Sequence, residues 1–147
     1  MTKEDVLAAI FTKYNLVFDP SNPNSKDNDV FIHKHYKIIT RTGIQKIERA
    51  SKTKCKIEIV ASGPDYCNVT GTGQLQDGPV LNEYTTLASA NSENCSNAYY
   101  VEMAEKRCRS RLILTLVGLY ELGVFGEEES EAFKKDDNIK TAAYRGK

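Results

Sequence analysis

The sequence predicts an α+β fold: a three-stranded antiparallel β-meander packed against a long α-helix, with short N-terminal helices. Three observations carry this expectation. Apolar and polar residues alternate with period two through residues 55–88, interrupted by Gly63-Pro64-Asp65 and Asp77-Gly78-Pro79. Turns this short join antiparallel neighbours. Further on, residues 98–122 bring Val101, Ala104, Cys108, Leu112, Thr115 and Leu119 within about 60° of one another on a helix, a stripe that faces a sheet.

Taken in order, Thr2 and Asp5 read as a helix start, and Val6 to Phe11 continue it over residues 3–15. Residues 19–29 are turn-forming and polar, hence a loop. Residues 36–40 read as a strand, and Thr40 or Thr42 caps a second helix that carries Ile44 and Ile47 and ends near Lys52. Strands follow at 55–62, 67–75 and 80–88. Gly71 and Gly73 leave one face of the middle strand bare, so a neighbour is expected close to its backbone. Ser96 or Asn97 caps the long helix and Gly123 stops it. A last helical turn or two covers 127–135. The 147 residues suit a single domain, 1–135, with a flexible tail at 136–147.

Several function classes are set aside. No run nears the ~18 apolar residues of a membrane span, and no apolar signal core follows the first residues. A cytoplasmic protein with no membrane contact is expected. The cysteines at 55, 67, 95 and 108 form no C-x-x-C, so they read as buried thiols. His33 and His35 have no partner ligands nearby in sequence, so no metal is expected. Nucleophile elbows, phosphate loops and dinucleotide loops are missing, so the chain reads as a non-enzyme without cofactors. Glu127-Glu128-Glu129 reads as a solvated helix N-terminus.

Charge is uneven although the net is zero. Between His33 and Ser62 eight basic residues face two acidic ones, a net of +6, whereas seven acidic face two basic between Glu121 and Asp137, a net of −5. That suggests an anionic partner. On the long helix Arg107 and Arg111 stand one turn apart with no acidic residue three or four positions away. Two arginines beside a buried face need an anion. A phosphate suits the guanidinium fork, and so does a carboxylate elsewhere in the fold.

The segment Asn94-x-x-Asn97-x-Tyr99-x-x-x-Met103-Ala104-Glu105-Lys106-Arg107-Cys108-x-x-Arg111, followed by Gly118-Leu-Tyr120-Glu-x-Gly123 and Glu127-Glu128-Glu129, resembles the helix of the phage single-strand annealing proteins, the RecT, Red beta and ERF group. The resemblance covers about residues 55–131. Cys108 and Leu112 stand where the group usually has alanine. It implies ATP-independent binding and annealing of single-stranded DNA in recombination and repair, inside the bacterial host of a bacteriophage. It also implies a homo-oligomer, with an exonuclease and a single-strand binding protein as partners. On that reading Lys37, Arg41, Lys46, Lys52, Lys54, Arg107 and Arg111 line a groove for the backbone, and Tyr36, Tyr99 and Tyr100 stack on bases. The alternative is a small phage or host protein-interaction module, oligomeric or inhibitory, without nucleic-acid binding. One groove of basic residues favours the first reading, and scattered charges favour the second.

Overall fold

A computed structural model describes residues 2–33 and 36–131. The expected tail at 136–147, the domain boundary at 135, and Lys34, His35, Lys134 and Lys135 lie outside the described residues.

Helix α1 (Lys3–Lys13) opens on a capping box: Asp5 N donates to Thr2 Oγ1 and Thr2 N to Asp5 Oδ2, each at 3.1 Å. Strands β1 (Val30–His33) and β2 (Tyr36–Ile39) pair antiparallel. Thr40, not Thr42, caps α2 (Arg41–Ser51), accepting from Gly43 N at 3.2 Å, and Lys52 ends the helix in the left-handed region. Strands β3 (Lys54–Gly63), β4 (Tyr66–Asp77) and β5 (Val80–Asn91) form an antiparallel sheet in chain order. All three run longer than the alternation alone predicts. Val60 is an extra residue in β3, where the register shifts between Ile59 and Ala61.

Helix α3 (Tyr100–Leu116) is shorter than expected at both ends. Its start lacks a side-chain cap; Asn97 Oδ1 instead accepts from Tyr99 N at 2.9 Å, just before the helix. Its end is a Schellman turn. Gly118 takes φ +85°, its N–H donates to Thr115 O, and Leu119 N donates to Leu114 O at 2.9 Å. Leu114 and Leu119, the apolar pair of that motif, are both fully buried. The chain then turns through a 3-10 helix (Tyr120–Leu122) into β6 (Val124–Gly126), which pairs parallel to β2. Residues 127–131 are helical. The second sheet, in order β1-β2-β6, is a feature the sequence reading lacked.

Two cores share α3. Ile113 and Leu114 join Leu7, Ile39, Ile44, Ile47 and Val124 in one. Ala104, Cys108 and Leu112 pack on Val69, Ala88 and Ala90 of the three-stranded antiparallel sheet in the other. The bare face of β4 is where the helix comes close: a Cβ on Gly71 would stand 2.5 Å from Cys108 Sγ and 3.0 Å from Leu112 Cδ1. Gly71→Ala is therefore expected to cost about 1–3 kcal/mol through overpacking. A denaturation midpoint equal to the parent's would contradict that. Burial pushes the Cys55 and Cys108 thiols up to about 11, so neither is a nucleophile near neutral pH. Among the described residues no helix is long and apolar enough to cross a membrane.

Candidate nucleic-acid interface

The basic residues do not converge. Lys37 on β2 reaches Glu4 of α1 at 3.4 Å. Lys46 donates to buried Asp29 at 2.6 Å and to Asn15 O at 3.4 Å, so it ties α2 to the loop before β1. Arg41 opens α2, half-buried. Lys52 and Lys54 are exposed where α2 passes into β3. Tyr36 is half-buried, its ring edge-on to Phe125 at 5.4 Å. Tyr99 is 69% exposed, whereas Tyr100 packs against the second core. Lys54 pairs with Gln74, beyond Gly73 and its contact with Leu116 at the end of α3, while Tyr99 precedes the start of α3. The 17-residue helix separates them by about 25 Å. The single groove expected from the sequence is not formed by these side chains.

Arg107 corrects the expectation most clearly. It is 2% exposed, and four hydrogen bonds occupy its guanidinium. Nε donates to Glu128 O at 2.9 Å, Nη1 to Ser89 O at 2.9 Å and to Asn94 Oδ1 at 2.8 Å, and Nη2 to Asn94 O at 2.7 Å. Four of its five N–H groups are spent on these acceptors, and its burial keeps the guanidinium out of a phosphate's reach. Arg111 takes the carboxylate alternative. Its Nε donates to Glu129 Oε1 at 2.9 Å, its Nη2 to the same oxygen, and its Nη1 to Leu87 O at 2.6 Å. Burial opposes the charge of Arg111, but the Glu129 carboxylate outweighs it and lifts the group above its ordinary value. Burial, then Glu129, likewise raise Tyr120. Arg109 is tied between Glu105 of its own helix and Glu48 of α2, each at 2.7 Å.

These arginines have a shared job in the fold. Strand β5 is one of the sheet's two edges, and an open edge leaves carbonyls without donors. The carbonyls of Leu87 and Ser89, two residues apart, are filled from the side by Arg111 and Arg107, one helical turn apart. The loop after β5 completes the clamp. Asn91 Oδ1 accepts from Glu93 N and Asn94 N, and Asn91 N donates to Asn94 Oδ1, which fixes the amide that meets Arg107. Glu128 and Glu129 are buried rather than solvated, because the helical stretch at 127–131 packs against this clamp. No sequence pattern flagged Asn94 or Glu129 as partners; the only hint was an acidic run in a chain with two locally unpaired arginines.

Beside the clamp lies a cleft of about 520 Å³. Val60 and Leu87 supply apolar walls, Asn68 and Ser89 a polar floor, and Arg111 and Glu129 one side. Asn68 pairs with Ser89, and Thr70 with Leu87, across β4 and β5, so these side chains share the sheet face away from α3. Among the described residues no group of His, Cys, Asp and Glu is arranged to hold a metal ion. No protein-family model, no curated protein and no solved structure matches the chain.

Proposed function

We propose that the chain binds single-stranded DNA without ATP and promotes annealing of complementary strands, in phage-type recombination and repair within a bacterial host cell. The observation that carries this reading is the α3 segment, Met103-Ala104-Glu105-Lys106-Arg107 to Arg111, placed directly after three long antiparallel strands as in the annealing proteins it resembles. With Arg107 closed inside the fold, the contact surface moves to the exposed sheet face. There Lys54 and Lys56 on β3 meet the backbone, and the cleft lies on the same face. Self-assembly, an exonuclease and a single-strand binding protein are the partners this function calls for.

A second reading has its own support. The scattered lysines, several already paired within the fold, favour a protein-interaction module. Fluorescence anisotropy with a labelled single strand at two salt concentrations separates the two. The expected result is binding that weakens with salt, with a log–log slope of roughly 0.7 per phosphate contact, and a shallower slope for Lys54→Ala with Lys56→Ala. No binding at low salt would remove the DNA reading and leave the module.

A further inference from the structure

The cleft beside the arginine clamp has a composition that selects its occupant. Val60 and Leu87 are 63% and 66% exposed, two of the few large apolar side chains, with Tyr66 and Leu81, on this sheet face. Val60 is the bulge residue of β3, and bulges re-aim side chains next to sites. Between these walls Asn68 and Ser89 offer a donor and acceptors. At the side, Glu129 is 3% exposed, spends Oε1 on Arg111, and among the described residues has no partner for Oε2.

Charge decides the ligand class. Arg111 and Glu129 neutralise one another, so a phosphate meets no free cation and an ammonium no free anion. What fits is a neutral, flat body with a hydrogen-bonding edge. The volume lies within the roughly 300–1,000 Å³ of small-molecule sites. We propose that this cleft receives one unstacked base of a single-stranded nucleic acid, lying between Val60 and Leu87 with its polar edge toward Asn68, Ser89 and Glu129. The proposal rests on the strand-binding reading, and it assigns Arg111 to shaping the slot. A carboxylate acceptor favours an exocyclic amino group. Cytosine offers one, whereas the N3–H of uracil lies between two carbonyls that the carboxylate repels.

Methyl NMR on the full chain with 2′-deoxycytidine at millimolar concentration reads the cleft without a DNA backbone. Shifts at the Val60 and Leu87 methyls are expected, and they should vanish in Asn68→Trp, which fills the floor from an exposed position. Unmoved methyls overturn the proposal. In anisotropy, an oligodeoxycytidine should bind about tenfold more tightly than an abasic strand of equal length, the loss of a stacked base. It should also bind about tenfold more tightly than the oligodeoxyuridine, the worth of a hydrogen bond to a charged acceptor. Leu87→Ser should bring the cytidine strand close to the abasic one without changing the latter. Equal affinity for the abasic strand overturns the slot while strand binding stands. Equal or greater affinity for uridine overturns the role of Glu129. Moving methyls with no strand binding support the slot and remove the strand-binding reading.

Discussion

Replacing Arg107 with alanine should lower stability by about 3–5 kcal/mol, the summed cost of leaving several buried neutral acceptors without their charged donor. The truncation strands Glu128 O, Ser89 O and Asn94 O, while Asn94 Oδ1 keeps its bond from Asn91 N, and each buried acceptor left without a donor costs about 1–3 kcal/mol before relaxation. It also opens the edge of β5. For a protein of this length each kcal/mol moves the melting temperature by about 2–4 °C, so a drop of roughly 10 °C is expected. Arg107→Lys should recover little, because one ammonium cannot span acceptors on β5, the 91–97 loop and the 127–131 helix. Lys106→Ala, one residue away on the same helix, is the control and should melt within a degree or two of the parent. A melting temperature for Arg107→Ala equal to that control would contradict the clamp.

Removing Arg111 is expected to cost a similar amount for a different reason. Its partner Glu129 is buried, and alanine at 111 leaves that carboxylate with no counter-charge and only the long 3.5 Å bond from the Tyr120 hydroxyl. About 3–5 kcal/mol is again the expected loss. The distinguishing experiment is rescue. Arg111→Met combined with Glu129→Leu replaces the pair by apolar groups of similar volume, and such exchanges are often neutral. Thermal melting of the single and double variants should show the double near the parent and the single well below it. A double variant no better than the single would mean that the pair is not the source of the loss, and that the bond from Arg111 Nη1 to Leu87 O carries it.

What the sequence disclosed was local, and what it hid was remote. The Thr2–Asp5 box, the cap of α2 and the alternation through β3 to β5 each depend on residues close in the chain; the box formed where read, Thr40 proved to be the cap of the two candidates, and the strands formed with longer bounds. Gly71 and Gly73 announced a close neighbour, which proved to be Cys108, Leu112 and Leu116 of α3. The β1-β2-β6 sheet was not legible, because β2 and β6 pair in parallel over three residues each and lie more than 80 positions apart. The early end of α3 was legible in principle: Gly118 precedes apolar Leu119, which is the signature of a Schellman stop. Gly123, five residues on, offers a competing stop, and spacing alone does not choose between the two. Arg107 and Arg111 were singled out for lacking local acids. Where their donors went was set by the packing of the β5 edge, the 91–97 loop and the 127–131 helix, and no spacing rule encodes that.

The central claim joins an inward-facing arginine clamp to strand binding on the sheet face away from α3. Hydrogen–deuterium exchange of the full chain, with and without saturating single-stranded DNA, tests it most directly. The account predicts added protection over residues 66–70 and 85–91, around the cleft. Residues 41–51, where the sequence alone had put part of the groove, should be unchanged. Protection confined to residues 41–51, or no change anywhere in the chain, would contradict it.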